Sequence, residues 1–135
     1  MLTESPNQCW AGNVVKTGIC DQDNRRLNTR KLAEYADNYQ VRFPAVEWCR
    51  NYNRNGVKKG SSFIPSINQL MLIYENIRLI RSAYSKVGFW PYNLSIASST
   101  ESERCSDCIL GITYAGSVVT KSKAATLSVM AVVAF

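Results

Sequence analysis

The chain has 135 residues, of which 46% are apolar and 19% charged, and it carries a net charge of +6. This length suits one domain with a single hydrophobic core, and the composition excludes a disordered polar chain. Because histidine is absent, Ser-His and Cys-His nucleophilic pairs and histidine metal sites are excluded as well. We therefore expect residues 1–135 to form one globular domain.

The excess positive charge is concentrated in the first half of the chain. The basic residues there are Arg25, Arg26, Arg30, Lys31, Arg42, Arg50, Arg54, Lys58 and Lys59. Nucleic acid is one partner for such a patch. Acidic residues interrupt the run, however, and no nucleic-acid motif frames it, so a solvated basic face is the favoured interpretation.

The first third of the chain predicts an irregular lead-in, a strand and a helix. Residues 1–10 show no regular pattern. Apolar residues within 13–19 predict a short strand, which the polar stretch 21–24 ends with a turn. Asn28-Thr29 are suitable caps for a helix that carries an apolar set near helical spacing, namely Leu32, Ala33, Tyr35, Ala36 and Tyr39.

A second helix is predicted to begin at Pro44, because proline is favoured in a first helical turn. Its apolar side would be formed by Ala45, Val46, Trp48, Cys49 and Tyr52. Asn55-Gly56 are expected to end it, since both residues tolerate the left-handed conformation that closes a helix.

The third helix has the clearest start. Ser66 and Gln69 have the spacing of a capping box, in which each side chain bonds the backbone N–H of the other residue. Apolar residues follow at helical spacing, at Ile67, Leu70, Met71, Tyr74 and Ile77. A further helical piece is predicted over Asn76 to Tyr84, with Ile77, Ile80 and Tyr84 aligned.

The rest of the chain, after Gly88, predicts short strands. Turns are expected near Ser102 to Ser106, at Ala115-Gly116 and at Lys121 to Ala125. Helices followed by strands, with one early strand, indicate an α+β domain, and the early strand is expected to pair with the late ones.

Targeting signals are not apparent in the sequence. The N-terminus lacks the basic and apolar regions of a signal peptide. The longest apolar run, Val129 to Phe135, is shorter than the about 20 residues that span a bilayer. The sequence therefore predicts a soluble chain, with a cytoplasmic route and reduced thiols as the default.

Five cysteines are present, at positions 9, 20, 49, 105 and 108. Cys105 and Cys108 have the C-x-x-C spacing of redox and zinc sites, but a zinc site would need two more ligands. A thioredoxin-like motif would lie between a strand and a helix, whereas this pair precedes a predicted strand. Simple surface cysteines are the favoured interpretation, and a small redox or zinc protein remains the alternative.

The other residues that could take part in chemistry favour structural roles. No carboxylates are paired for acid/base work, and no glycine-rich phosphate loop is present. Glu101 follows Ser98-Ser99-Thr100 and is expected to fix the adjacent turn by hydrogen bonds to backbone. Trp10, Trp48 and Trp90 are expected to anchor the core. Nothing in the sequence indicates an enzyme or a cofactor.

Five segments in order resemble a known family. They are the helix beginning Phe43-Pro44-Ala45-Val46-Glu47-Trp48, the Phe63-Ile64-Pro65-Ser66-Ile67-Asn68-Gln69-Leu70 element, its Leu72 to Asn76 continuation, Ser98-Ser99-Thr100-Glu101, and the Val-x-Ala-Val-x-Ala-Phe terminus. Over about residues 40 to 135 the chain is similar to the C-type-lectin-fold proteins diversified by diversity-generating retroelements, especially those of gut Bacteroides and their phages.

The resemblance implies a C-type lectin-like fold, in which two or three helices pack on short antiparallel strands, with a variable region over about 95–128. In that family adenine-containing codons are randomised, and the altered side chains form a ligand-binding surface. Lys123 and Gly116 would then be fixed, while Leu110, Ile112, Val118 and Val129 would point inward. The exposed, variable positions would be Ser95, Ala97, Cys105, Cys108, Ile109, Gly111, Thr113, Tyr114, Ser117, Val119, Thr120, Ser122, Ala124, Ala125, Thr126, Leu127 and Ser128.

Codon arithmetic supports this assignment, because an AAC or AAT codon mutated at its adenines can never encode Lys or Glu. Most residues of the segment fall in the permitted set, and Glu103 and Lys121 do not. Two positions depart from the family pattern, Ala97 where an aromatic residue is usual and Met130 where an arginine is usual.

The function implied by the resemblance is non-enzymatic ligand or receptor binding. The partner would be an unknown protein or cell-surface ligand, without nucleic acid, membrane insertion or metal. No cluster of oxygen ligands suits calcium. The resemblance places such a domain on a phage tail or a cell surface, with homo-oligomerisation or attachment to a larger virion or surface assembly left open.

Overall fold

The computed structural model describes residues 2–12, 15–53, 56–85, 95–113 and 115–133, and of residues 2–9, 77–85 and 133 it describes the backbone alone. The described helices are α1 (Arg25–Tyr39), α2 (Pro44–Asn51) and α3 (Ile67–Ser85). The described strands are β1 (Leu2–Cys9), β2 (Ser62–Phe63), β3 (Ile96–Glu101), β4 (Cys108–Ile112), β5 (Val118–Ser122) and β6 (Thr126–Val133). They form one mixed sheet in the order β1-β6-β3-β4-β5, with β2 also paired to β6, so the predicted α+β class is confirmed. The expectation of antiparallel strands is wrong for β3 and β6, which pair in parallel.

The early strand lies in a different place from the one predicted. Residues 2–9, expected to be irregular, form β1 and pair antiparallel with β6. Residues 15–20, within and beside the predicted strand, have no regular secondary structure, and Asn13 and Val14 lie outside the described residues. The register of β1 shifts between Ser5 and Gln8, the stretch that contains Pro6, which has no N–H to give to a ladder. An N-terminal strand does pair with a late strand, but it is formed by residues 2–9 and not by the predicted strand.

Helix α1 begins earlier than predicted because Asn24 is its N-cap. The Asn24 side chain accepts from the Leu27 N–H at 2.9 Å, which satisfies one of the orphan donors of the first turn. Asn28 and Thr29, the predicted caps, lie inside the helix and are buried. Thr29 Oγ1 instead accepts from the Ile64 N–H at 3.2 Å, so this residue links α1 to the chain beside β2.

Helices α2 and α3 begin where the sequence predicts. Pro44 occupies the first turn of α2, but the helix ends at Asn51, before Gly56; Asn55 lies outside the described residues. At the start of α3 the Ser66 N–H donates to Gln69 Oε1 at 3.0 Å, while the buried Ser66 Oγ accepts no bond from the described residues. One half of the predicted capping box is therefore present. The two predicted helical pieces form one helix, and the side chains of Ile77, Ile80 and Tyr84 lie outside the described ones.

Two hydrophobic cores lie on opposite faces of the sheet. Successive residues of β3 and β6 alternate between them, with Ala97, Val129 and Ala131 in the first core and Ile96, Met130 and Val132 in the second. Successive side chains of a strand point to opposite faces. The first core also holds residues of α1 and α2, and the second holds residues of α3. The central strands are therefore covered on both faces.

The tryptophans have different environments. Trp10 is fully buried in the first core, and its indole N–H donates to the Ser98 carbonyl at 3.0 Å, which confirms its prediction as a core anchor. Trp48 is partly buried and packs against the same core. Trp90 lies outside the described residues.

Candidate functional site

The predicted variable positions divide between the surface and the interior. Eight of them, between residues 113 and 126, are exposed or partly exposed and lie on the β4–β5 hairpin and the β5–β6 turn. We call these eight residues the hairpin surface: Thr113, Ser117, Val119, Thr120, Ser122, Ala124, Ala125 and Thr126. Ser95, Cys105 and Cys108 are partly buried beside it. Tyr114 lies outside the described residues.

Five predicted positions are buried, so the expectation that they are exposed is wrong: Ala97, Ile109, Gly111, Leu127 and Ser128. Three of them, Ala97, Ile109 and Leu127, belong to the first core. Ser128 is buried in β6, and its N–H donates to the Ser95 carbonyl at 3.0 Å. Gly111 faces β3 so closely that an added Cβ would lie 2.6 Å from the Ile96 carbonyl oxygen. Packing and backbone contact therefore exclude these side chains from a binding surface.

The predicted inward positions are mostly confirmed. Ile112 and Val129 are buried, and Leu110 is partly buried against the second core. Val118 is 47% exposed, so its prediction is wrong. The physical reason is its place on β5, the last strand in the sheet order, where the cores no longer cover both faces.

Lys123 anchors the base of the hairpin surface, although its side chain is fully buried. Its Nζ atom donates to Glu101 Oε2 at 2.6 Å and to the Ser106 carbonyl at 2.9 Å, and also to the Val15 carbonyl. The ammonium lies 5.7 Å from the centroid of the Trp10 ring, a favourable position for a cation. A buried lysine requires such partners, so Lys123 ties the β5–β6 turn to residues from three other parts of the chain.

Glu101 completes the buried ion pair and binds the loop before α1. Its carboxylate accepts from the Thr17 N–H at 2.8 Å, the Thr17 hydroxyl at 2.6 Å and the Gly18 N–H at 3.0 Å. Glu101 was expected to fix a turn next to it in sequence. It instead fixes a segment that is distant in sequence, and periodicity gives no signal for such a contact.

The pKa of Glu101 lies below its ordinary value. Burial of the carboxyl raises this pKa, and hydrogen bonds from Lys123, Thr17 and Gly18 lower it and prevail. A carboxyl with a lowered pKa in the folded state stabilises the fold above its unfolded pKa of about 4.3, and this contribution is lost as the pH falls through the folded pKa.

We expect the stability difference between the wild type and Glu101→Gln to be constant at neutral pH and to shrink as the pH falls below about 4.3. Urea unfolding at a series of pH values measures it. Asp21 and Glu47 also have lowered pKa values, but both are present in both proteins, so the difference isolates Glu101. A difference that stays constant down to pH about 2 would contradict this role of the carboxylate.

The tip of the hairpin depends on Gly116. The Gly116 N–H donates to the Thr113 carbonyl and the Thr113 N–H to the Ser117 carbonyl, both at 2.9 Å. Gly116 has φ of +85°, and an added Cβ would overlap the ring of Tyr74 in α3. Only glycine suits both conditions, which supports the expectation that position 116 is fixed.

A disulfide closes the turn between β3 and β4. It joins Cys105 and Cys108, whose Cα atoms are 5.3 Å apart, so the default expectation of reduced thiols is wrong for this pair. The same turn supplies the Ser106 carbonyl to Lys123 Nζ and the Asp107 carbonyl to the Lys123 N–H, the latter at 2.8 Å. The disulfide therefore constrains the backbone that holds Lys123.

Removing this disulfide by the double substitution Cys105→Ser and Cys108→Ser is expected to lower the free energy of unfolding by about 2 kcal/mol, the loop-closure entropy of so short a loop. Urea unfolding with and without dithiothreitol measures the effect. The reductant should destabilise the wild type and leave the double variant unchanged. An unchanged wild type would show that the disulfide does not stabilise the fold.

The two described free thiols are poor nucleophiles. Burial, followed by the neighbouring Glu103, Glu101 and Asp21 carboxylates, raises the pKa of Cys20. Burial raises the pKa of Cys49 to about 12. Since the thiolate is the reactive form, neither thiol is suited to attack the Cys105–Cys108 disulfide at neutral pH.

The described part of the chain offers few sites of other kinds. No group of three or more potential metal ligands occurs there, and no helix there has the length and apolar character needed to cross a membrane. A cavity of about 260 Å³ lies between α1 and α2, with Val41, Phe43 and Arg50 among its lining residues. None of its lining residues belongs to the hairpin surface.

Comparison with known proteins gives a likeness of fold. No family model matches the chain, and no curated protein is similar to it in sequence. A fimbrial protein from Bacteroides ovatus ATCC 8483 has a similar structure, with a TM-score of 0.67 and 14% sequence identity. The match covers 97% of this chain and 34% of that protein, so the chain spans about a third of its length. At this identity the likeness concerns the fold alone.

Proposed function

We propose that this chain is a non-enzymatic ligand-binding domain of C-type lectin type, in which the hairpin surface is the hypervariable face. The observation that carries the proposal is the contrast between that surface and its support. Small and exposed side chains such as Ser117, Thr120 and Ser122 lie on a hairpin whose base is held by the buried Lys123–Glu101 pair. A face with a fixed backbone can change its side chains without being reordered at each binding event.

The proposed binding residues are those of the hairpin surface, with Cys105, Cys108 and Ser95 at its margin and Tyr114 retained from the sequence. Ala97, Ile109, Gly111, Leu127 and Ser128 are removed from the site because they are buried. The lectin-type assignment is supported by the antiparallel pairing of β1 with β6, which brings both ends of the described chain into one sheet.

The ligand class that we propose is a protein or cell-surface molecule, with attachment of the domain to a larger surface assembly. The protein of similar fold is described as fimbrial, which supports the choice of a surface assembly. The exposed basic residues, including Lys58 and Lys59, act as a solvated face in this proposal. Binding to nucleic acid, if it occurred, would weaken steeply with added salt.

The DNA around the gene provides the test. We expect a reverse transcriptase gene and a near-repeat of the codons for residues 95–135 that differs only at adenines. The differences should fall in codons of the hairpin surface and avoid those of the five buried positions. The lack of both elements would contradict diversification, and differences that fall equally on codons such as those of Ile109 and Gly111 would contradict the proposed face.

A second candidate is a small redox protein, which the Cys105–Cys108 disulfide favours. The disulfide joins the turn after β3 to Cys108, the first residue of β4, away from a helix N-terminus, where a reactive thiolate is commonly stabilised. Thiol titration and metal analysis of the purified protein separate the two candidates. A disulfide that cycles rapidly with a dithiol, or stoichiometric zinc after reduction, would favour the redox or zinc protein over the binding domain.

A further inference from the structure

Strand β5 is the outermost strand on one side of the described sheet. Its partner β4 lies on one side, and the sheet order places no described strand on the other. Four of its five residues are exposed, whereas β4 is buried or partly buried throughout. Exposed edge strands are sites where another extended chain can add to a sheet.

The alternation of hydrogen-bonded pairs along the β4–β5 ladder shows which backbone groups of β5 can bond to an added strand. The Thr113 N–H donates to the Ser117 carbonyl, and the Lys123 N–H to the Asp107 carbonyl, so these pairs belong to the bonded set of the β4–β5 ladder. Bonded pairs alternate along an antiparallel ladder. The backbone groups of Val119 and Lys121 therefore face β4, and those of Val118 and Thr120 face outward.

We propose that this edge binds an extended, acidic segment of a partner protein by β-strand addition, with Val118 and Thr120 supplying the backbone hydrogen bonds. The inference rests on the proposed function and deepens it, because it names the class of ligand. Backbone bonds do not depend on side-chain identity, so they would persist while Val119, Thr120 and Ser122 vary. Constant affinity would come from the edge and specificity from the side chains.

The positive charge on β5 favours an acidic partner strand. Lys121 is exposed on β5, and an Asp or Glu on an added strand directly opposite it would form a favourable cross-strand pair. A second copy of the chain would carry the same net charge of +6. Antiparallel pairing centred on Thr120 would also bring the two Lys121 side chains to diagonal positions on one face, about 7–8 Å apart. An acidic extended segment is therefore favoured over self-pairing.

The edge is held in place at both ends. Gly116 lies against Tyr74 before β5 begins, and Lys123 is buried immediately after it ends. An edge fixed in this way needs little ordering when a strand is added, which favours binding.

The test uses the whole chain and synthetic peptides of about twelve residues, designed to be extended by alternating Val and Thr. One set carries a single Asp or Glu at successive positions, and a matched set carries Lys instead. Fluorescence anisotropy measures binding. We expect saturable binding of acidic peptides, at least tenfold weaker binding of the Lys set, and a reversed preference for Lys121→Glu. Failure of every acidic peptide to bind would overturn the proposal.

Methylation of peptide nitrogens tests whether backbone bonds are used. The N–H groups of an added strand point alternately toward β5 and away from it. Peptides methylated at the nitrogens that face β5 should bind at least tenfold more weakly, and those methylated at the other nitrogens should bind like the parent. Thr120→Pro removes the outward N–H and should weaken binding similarly. The variant should still fold, because proline is tolerated where an edge N–H faces solvent. Equal binding of the two methylated sets would overturn strand addition, even if the proline variant failed to fold.

Two further outcomes distinguish this proposal from the proposed function. Peptide binding that is lost in Val119→Ala and Ser122→Ala but unchanged in Thr120→Pro would keep the hairpin surface as the binding face and exclude strand addition. A concentration-dependent dimer in sedimentation that disappears in Thr120→Pro would identify a second copy as the occupant, and would overturn the choice of an acidic partner.

Discussion

Replacing Lys123 by methionine is expected to lower the free energy of unfolding by about 3–5 kcal/mol, the usual cost of breaking a buried ion pair by removing one partner. The substitution keeps much of the side-chain volume but leaves the Glu101 carboxylate buried without its cation, and it removes the donor to the Ser106 and Val15 carbonyls. Urea denaturation followed by tryptophan fluorescence measures the change.

Lys121→Met is the matched control, because Lys121 is exposed and lies two residues earlier on the same hairpin. It should change the free energy of unfolding by no more than about 0.5 kcal/mol. Adding Glu101→Gln to Lys123→Met should recover part of the loss, with an interaction energy of about 0.5–3 kcal/mol. Equal effects of Lys123→Met and Lys121→Met would contradict the anchoring role of Lys123.

Ile109→Ala is expected to lower the free energy of unfolding by about 2–5 kcal/mol through loss of packing and creation of a cavity. Ile109 is fully buried in the first core, although the family resemblance placed it on the variable surface. Many domains have total stabilities of only about 5–15 kcal/mol. The variant should therefore show a markedly lower urea midpoint in denaturation experiments.

Val118→Ala is the control for Ile109→Ala. Val118 was predicted to point inward but is 47% exposed, so its truncation should cost about 0.5 kcal/mol or less. The two substitutions thus distinguish the structure from the sequence-based assignment, which predicts the opposite order. A larger loss for Val118→Ala than for Ile109→Ala would show that the assignment of the two faces is wrong.

Local signals predicted the starts of α2 and α3 and the presence of late strands, but not the start of α1 at Asn24. Pro44 marks the start of α2 and the Ser66–Gln69 pair marks the start of α3, because both act through backbone geometry within one turn. The strand β1 could not be predicted in this way. Its sequence is polar and contains Pro6, and it forms a strand because β6 provides a long ladder for it to pair with.

The exposure of the hairpin surface was predicted, but the burial of Ala97, Ile109, Gly111, Leu127 and Ser128 was not. Alternation along a strand separates two faces, yet β4 is covered on both faces and β5 is exposed on both. Sequence alone does not distinguish a central strand from an edge strand. For this reason Ile109 was predicted to be exposed and Val118 to be buried, whereas the structure shows the reverse. The resemblance predicts that Lys123 is fixed, and its buried pairing with Glu101 agrees with that prediction.

Buried contacts fix both ends of the strand that carries much of the hairpin surface. Lys123 and Glu101 link the β5–β6 turn to the loop before α1, and Gly116 holds the other end of β5 against α3. We therefore expect side chains between these anchors to change without altering the cores. Among the positions that the resemblance predicts to vary, we therefore expect tolerance to substitution to be confined to the hairpin surface.

A comparison of two libraries tests this claim most directly. One randomises six positions of the hairpin surface, Ser117, Val119, Thr120, Ser122, Ala124 and Thr126, and the other randomises Ala97, Ile109, Gly111, Leu127 and Ser128. The fraction of folded members, measured as protease resistance on displayed protein, should be close to that of the wild type in the first library and at least tenfold lower in the second. Equal folded fractions in the two libraries would contradict the expected difference in tolerance between the hairpin surface and the buried positions.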